Sequence, residues 1–500
     1  MKIRLALIGN EYREFAYSSF QQMKPEECEI VYWLNDDMEE ADAECYGIKI
    51  ISLDDLCKVY RIKVDAVFIV NSWNHYIENA IQRLQEREIW QIYLPKLYAL
   101  EKKLSLWNAR SMVCENIIHL KEQEPFCVHL ETHILDDCNL NCKSCNHFLP
   151  FAERGKKASA EQLKKDLGRI KELFSGIGRF FLLGGEPLLD EKLTGQFLQI
   201  SRQELPDTEI RLLTNGLLIP AMSDDFWDLV RENHIIIHIS AYPPTIKILN
   251  QIQDILNMQK VEWLVFRVVE SFFKHWTEYP FEDENVSNAI CSSAGCHYLR
   301  NGKLAKCPDS VLIRMFDDAH KTSLYKHDEI NIYSENNAWE IQRRLIGPCQ
   351  LCKYCTLDRM ELIPWETVGK APRKEDWIVE HHYEYLLKQA EWQREKSEME
   401  YEELEKMLNV EQASKQEKEM QLLAAQSEKN KLEAEYKDRM QQMSASRDEK
   451  EMQICCMQKE QKRLKLELQS VYASHSWKVT RIFRKSKSLL EKHLSKIRKG

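Results

Sequence analysis

Cys138, Cys142 and Cys145 lie in the stretch Asp136-Asp137-Cys138-Asn139-Leu140-Asn141-Cys142-Lys143-Ser144-Cys145-Asn146-His147, a C-x3-C-x2-C spacing. Three thiols so placed reach three irons of one iron–sulfur cube from a single loop, because cluster irons are held by cysteine thiolates and a complete shell takes four. One iron is then open to a ligand that is not protein. The plainer reading is a structural zinc site, but such sites take four protein ligands and only His147 continues the run. A second chemical signature is Gly184-Gly185-Glu186-Pro187. Its glycines let backbone lie close against a ligand, and its carboxylate accepts hydrogen bonds from a cationic amine.

The cysteine spacing, followed in order by Gly184-Gly185-Glu186-Pro187, resembles the radical SAM superfamily. The resemblance implies that S-adenosylmethionine chelates the open iron through its amino and carboxylate groups. An electron from the cluster then cleaves the sulfonium and releases a 5′-deoxyadenosyl radical, so the cofactor carries the hard chemistry and the protein positions it. It also implies that Gly184, Gly185, Glu186 and Pro187 lie against the methionine amine, with Glu186 as acceptor. Ser240 is the favoured ribose contact, with Asn215 and Arg267 as further cofactor contacts.

Six more cysteines follow: Cys291, Cys296, Cys307, Cys349, Cys352 and Cys355. The stretch Cys296 to Pro308 reads as a β-hairpin around the turn Asn301-Gly302, and the distant Cys349-x-x-Cys352-x-x-Cys355 brings further thiols. This arrangement is similar to the SPASM and twitch auxiliary-cluster domains that follow many radical SAM barrels. One auxiliary 4Fe–4S cluster fits six cysteines better than two, with Cys296, Cys307, Cys352 and Cys355 as its ligands and Cys291 and Cys349 as alternates. Zinc is the competitor there, since paired C-x-x-C-like units also build zinc ribbons.

These motifs need strand ends to hold them. Val128–Leu135 runs into the cysteine loop and Arg179–Leu183 ends in the double glycine. Glu209–Leu213 ends in Thr214-Asn215-Gly216, Ile235–Ile239 ends in Ser240-Ala241-Tyr242-Pro243, and Val261–Val269 is a fifth strand. Amphipathic stretches such as Ala160–Phe174 lie between them, so residues 126–290 read as an open (β/α)6 partial TIM barrel, its sixth strand near Ala289 and its chemistry at the C-terminal strand edge. His147, His238, Tyr242 and His297 fall near the barrel mouth, and none is assigned as acid or base.

Ahead of the barrel, the runs Ile3–Ile8, Glu29–Leu34, Ile48–Ile51, Ala66–Val70 and Ile89–Leu94 alternate with helical patterns such as Tyr76–Leu84. Residues 1–97 therefore read as a Rossmann-like α/β domain. Gly9-Asn10-Glu11 lacks the G-x-G-x-x-G that lets a pyrophosphate approach, which argues against dinucleotide binding. Residues 98–125 read as a helical connector, 291–360 as the auxiliary-cluster domain and 361–380 as a linker.

No Gly or Pro occurs between Pro372 and Gly500, and residues 381–472 read as a long helix or coiled coil with interrupted heptads, giving possible self-association. Residues 473–500 form a basic amphipathic tail. From Lys478 to Gly500 there are nine Lys or Arg against the single acid Glu491, and Trp477, Ile482 and Phe483 suit peripheral contact with an anionic membrane. Ser474-His475-Ser476-Trp477 and the residues after it are similar to a segment of bacterial polysaccharide glycosyltransferases.

The 500 residues carry a net charge of −9, which argues against nucleic-acid binding. Sixteen cysteines without a signal-like leader point to a reducing cytoplasm rather than a disulfide scaffold, and no run is apolar enough to span a bilayer. The combined expectation is a radical SAM enzyme that takes electrons from a flavodoxin or ferredoxin and oxidises or otherwise modifies a cell-surface sugar or its precursor. The alternatives are a peptide-modifying maturase and a non-enzymatic scaffold of a polysaccharide assembly complex.

Overall fold

The computed structural model describes residues 3–9, 12–21, 28–34, 44–104, 116–280, 282–369, 371–379, 426 and 428–435. The coiled coil and basic tail read from the sequence lie almost wholly outside these residues. Among the described residues, no helix is long and apolar enough to cross a membrane.

Short apolar runs near the N-terminus form strands because both their faces are covered, as β-branched and leucine-rich segments require. They are β1 (Ile3–Ile8), β2 (Cys28–Leu34), β3 (Glu44–Cys45), β4 (Ile48–Ile51), β5 (Ala66–Ile69), β6 (Ile92–Pro95) and β7 (Ile117–His119). Their order is β3-β4-β2-β1-β5-β6-β7, with the four pairings among β4, β2, β1, β5 and β6 parallel and the two edge pairings antiparallel. Helix Asn74–Gln85 lays Ile77, Ile81 and Leu84 on this sheet. The stretch read as a helical connector instead gives a short helix, Leu97–Glu101, and the strand β7, whose Ile117 and Ile118 pack on the sheet edge.

The second sheet is built from β8 (Cys127–Leu135), β9 (Ile177–Gly184), β10 (Glu209–Thr214), β11 (Ile236–Ala241) and β12 (Trp263–Val268). All are parallel and lie in sequence order. β13 (Ser271–Lys274) leaves this sheet to pair with β17 (Glu361–Pro364), while β14 (His297–Arg300), β15 (Lys303–Ala305) and β16 (Ile330–Asn331) extend its other edge. The expected strand near Ala289 is a helix, Glu284–Ile290, because Asp283 caps it by accepting from the amides of Asn285 and Val286. A sixth parallel strand exists nonetheless: β14 pairs with β8 from the opposite edge.

Helices Ala160–Leu173, Glu191–Glu204 and Asp224–Glu232 cover one face of this sheet. Ser159, Asp190 and Ser223 cap them, each accepting a backbone amide three residues on, worth about 1 kcal/mol apiece. Leu130, Ile134, Phe180, Leu182, Ile210, Leu212, Ile237 and Ile239 point into that core. Strand alternation sends His129, Glu131, His133, Arg179, Arg211 and His238 to the opposite face.

That polar face meets the N-terminal sheet's loops. Arg211 is fully buried between Glu209 and Glu101 at 2.6 and 2.7 Å, and the Tyr98 amide donates to Glu209 at 2.9 Å. His297, considered for the barrel mouth, is occupied at both ring nitrogens, by the Lys306 carbonyl oxygen and by Glu78. It ties the two sheets together.

Candidate functional site

The loop after β8 curls tightly enough to bring its cysteines together. Asn141 and Ser144, each just before a cysteine, adopt left-handed conformations with φ of 50° and 56°, and Phe148 does so at 55°. Short polar residues tolerate this region better than most. Cys138, Cys142 and Cys145 consequently lie close together, and burial pushes all three thiols up, Cys145 to about 11, with the charge of Cys138 adding to this at the other two and that of Cys145 at Cys142. Iron held by the three sulfurs would offset this cost.

The second strand loop locks onto the first. Gly184 (φ 147°) has no room for a side chain, since a Cβ would stand 2.2 Å from the Leu135 carbonyl oxygen; at Gly185 a Cβ would stand 1.8 Å from that of Asp137. The Gly185 and Glu186 amides donate to those same oxygens at 2.9 and 2.8 Å. The glycines thus admit the backbone of the cysteine loop itself. Pro187 starts a buried 3-10 turn directly behind.

Glu186 is completely buried. Its carboxylate accepts from the Thr214 hydroxyl at 2.7 Å, the Asn215 amide at 2.8 Å and the Leu188 amide at 3.0 Å. Burial pushes its carboxyl up to about 7, against these bonds. Asn215 donates from its side chain to Asn139, inside the cysteine loop. Glu186 and Asn215, read as cofactor contacts, also clasp three strand ends. Ser240 is half-buried on β11 at a register shift opposite Arg267 of β12.

Behind the loop runs a buried chain. Arg300 donates to both oxygens of Asp136 at 2.8 and 3.0 Å, Asp136 lies 3.1 Å from His133 Nδ1, and His133 Nε2 lies 3.0 Å from His147 Nδ1. Against a larger desolvation penalty, His133 and the Arg300 guanidinium hold the Asp136 carboxyl well below its ordinary range, while burial lowers the pKa of both imidazoles. His147 is therefore a support of the loop.

Within residues 361–380, read as a linker, the described residues 361–369 and 371–379 form its outer wall. Lys143 and Val368 exchange backbone bonds with Glu366 and Asn141 across the loop, and the Trp377 indole donates to the Cys145 carbonyl oxygen at 3.0 Å. The Trp365 indole donates to Cys142 Sγ at 3.2 Å. Leu140, Leu217, Tyr242, Val269 and Phe272 complete an apolar collar about the thiols. A thiol triplet with an indole donor on one sulfur and a water-poor rim fits a three-legged 4Fe–4S cluster.

The later cysteines separate into two groups. Cys355 feels the charges of Cys291, Cys307 and Cys349, Cys291 feels that of Cys307, and Cys307 is hydrogen-bonded to Cys349. Cys352 Sγ lies 3.7 Å from Cys349 Sγ. Cys296, expected in this set, is placed beside His129 and Glu131 instead. The reason is register: Cys296 immediately precedes β14, whose pairing of His297 with Leu130 sets it against β8. The Asn301-Gly302 hairpin forms as read, both residues at positive φ.

Asp309 escaped the sequence reading. It is buried, its carboxyl is pushed up to about 7 by desolvation, and its charge acts on Cys145 as well as on Cys291, Cys307 and Cys355. Its position two residues after Cys307 was the available signal. For His129, Glu131 and His133 the signal was a polar residue at every second place of an otherwise apolar strand.

Residues 133–276, under a third of the chain, match the family model described as the radical SAM superfamily. Among curated proteins, the FeMo cofactor biosynthesis protein NifB of Frankia alni is 25% identical over 132 residues, covering 25% of this chain and 26% of that protein. NifB of Azotobacter vinelandii is 22% identical over 148 residues, covering 28% and 29%. The chain spans about a quarter of the length of these relatives. Among solved structures, BtrN in complex with AdoMet and 2-DOIA is 16% identical, covers 51% of this chain and 98% of its own, and has a TM-score of 0.29. The structure of anSMEcpe with bound AdoMet is 19% identical, covers 28% and 42%, and has a TM-score of 0.24.

Proposed function

We propose that this chain, whose residues 133–276 match the radical SAM superfamily, is a radical SAM enzyme with a 4Fe–4S cluster and S-adenosylmethionine as cofactors that oxidises a polar substrate beneath the cysteine loop. Cys138, Cys142 and Cys145 hold the first cluster, and Cys291, Cys307, Cys349 and Cys355 hold a second. When bound, the first cluster supplies the electron that splits S-adenosylmethionine into methionine and a 5′-deoxyadenosyl radical, and the second supplies an electron sink. Glu186, Asn215 and Ser240 orient the cofactor from the strand ends, and the collar of Tyr242, Phe272 and Trp365 excludes water from the thiols.

The observation that carries the reading is that the buried Asp309 acts electrostatically on members of both thiol sets. An alcohol that has lost a hydrogen atom from carbon must still release its hydroxyl proton and one electron to become a carbonyl. Asp309 is the carboxylate placed to take that proton. The likeness of residues 474–484 to a segment of polysaccharide glycosyltransferases favours a sugar or sugar precursor as substrate; a peptide is the second reading, supported by the same two-cluster arrangement. A flavodoxin or ferredoxin is the natural reductant.

Anaerobically reconstituted protein should hold about eight irons per chain, falling to about four in C291S, C307S, C349S or C355S. Dithionite-reduced protein should release 5′-deoxyadenosine, and a carbon-deuterated nucleotide sugar should pass deuterium into it. Absence of 5′-deoxyadenosine from iron-replete protein defeats the enzymatic reading and revives a scaffold role; deuterium arriving only from peptides defeats the sugar.

A further inference from the structure

Outside both thiol sets, three metal-ligand side chains converge on the inner face of the second sheet. One ring nitrogen of His129, one carboxylate oxygen of Glu131 and Cys296 Sγ all lie within 4.8 Å of one another. His129 and Glu131 come from alternate positions of β8, so both side chains leave the same face, and Cys296 approaches from the adjoining strand entry.

His129 and Glu131 are buried, Cys296 is half-buried, and the first two are incompletely used. His129 Nε2 lies 3.2 Å from Glu131 Oε2, while His129 Nδ1 and Glu131 Oε1 are buried with no hydrogen-bond partner. Leaving such atoms unpaired costs about 1–3 kcal/mol each. Cys296 is fixed from behind: Gly295 (φ 80°) lies so close to the loop at Asn74 and His75 that a Cβ would meet Asn74 Cβ at 2.7 Å, and Asn74 Nδ2 donates to Cys296 Sγ at 3.5 Å. A donor to the sulfur is the kind of outer support that metal-bound thiolates have.

We infer that His129, Glu131 and Cys296 form a separate mononuclear site for a divalent cation of the zinc class. One imidazole, one carboxylate and one thiolate are an ordinary zinc set, and three protein donors leave the fourth tetrahedral position to water or a substrate oxygen. A divalent ion with one carboxylate and one thiolate is electrically neutral, which suits a buried place beside the Arg179 and Arg211 guanidinium groups, both of which act on His129. His238 and His297 also face His129, and Asp309 faces Glu131. The site thus lies between the N-terminal sheet and the proposed active centre, with Cys291 of the other late cysteines also acting on Cys296.

The test is metal analysis of the full chain carrying its iron–sulfur clusters, supplied with zinc and washed. About one zinc per chain is expected, with X-ray absorption showing one sulfur at about 2.3 Å and nitrogen or oxygen at about 2.0–2.2 Å. C296S and E131Q should each weaken zinc retention at least tenfold, while iron content holds and the thermal midpoint in excess zinc falls only toward that of the zinc-free unaltered protein. No zinc in iron-replete protein overturns the site, as does zinc bound equally by both variants. Loss of iron rather than zinc in C296S overturns it too, and returns Cys296 to the second cluster. Should C296S fail to fold, C296A and the zinc-edge spectrum of the unaltered protein, which must contain one sulfur scatterer, decide the matter.

Discussion

Asn215 donates its backbone amide to Glu186 at 2.8 Å and its side-chain amide to Asn139 at 2.7 Å, so one residue joins the ends of β8, β9 and β10 beneath the cysteines. Glu186→Gln keeps the shape but turns one acceptor oxygen into a donor facing Thr214 or Asn215. It should cost about 1–3 kcal/mol, read as a lower thermal midpoint, with weaker S-adenosylmethionine binding by calorimetry.

Gly185→Ala should be far worse than its size suggests. The new Cβ overlaps the Asp137 carbonyl, which is backbone and cannot swing aside. A loss of about 3 kcal/mol or more is expected, together with iron from the first cluster. Gly168→Ala, in a helix with open space around it, is the control and should be neutral or stabilising by up to about 1 kcal/mol.

Trp365→Phe removes the indole donor to Cys142 while keeping most of the ring packing. A donor to a cluster sulfur favours the more negative, reduced state. The variant should keep its iron and show a more negative midpoint in an anaerobic spectroelectrochemical titration; an unchanged midpoint refutes the contact.

Arg211→Met leaves Glu209 buried without its counter-charge and frees Glu101. A cost of about 3–5 kcal/mol is expected from breaking a buried pair on one side. Limited proteolysis should then cut near residues 97–125 before the second sheet.

Acid should weaken the fold through buried histidines. Burial lowers His275 to about 4 and His75 to about 3, whereas both take up protons near 6.5 in the unfolded chain. Between those limits the unfolded state binds more protons, so stability falls as pH drops from about 6.5 toward 4, by at most about 1.4 kcal/mol per pH unit per histidine. Urea midpoints at pH 7 and 5 should differ accordingly, and His275→Gln should flatten the dependence.

Much of this was legible in residue order. β1 and β4 fall on the runs read as strands, and β8 to β11 differ from theirs by a residue or two, because continuous apolar segments ending in Gly, Asn or Pro have few other solutions. The connector and the strand near Ala289 were misread, since β7 is only three residues long and Asp283 is a local cap whose effect outweighs a weak strand pattern.

Sequence by itself determined the chemistry that local spacing can encode: Cys138, Cys142 and Cys145 on one loop, and the double glycine at the next strand end. Tertiary structure alone decided which distant groups share a place. It put Cys296 with His129 and Glu131, Asp309 within electrostatic reach of two thiol sets, and Trp365 on Cys142, because strand register and chain return bring together residues as much as 223 positions apart, a distance over which no local pattern carries information.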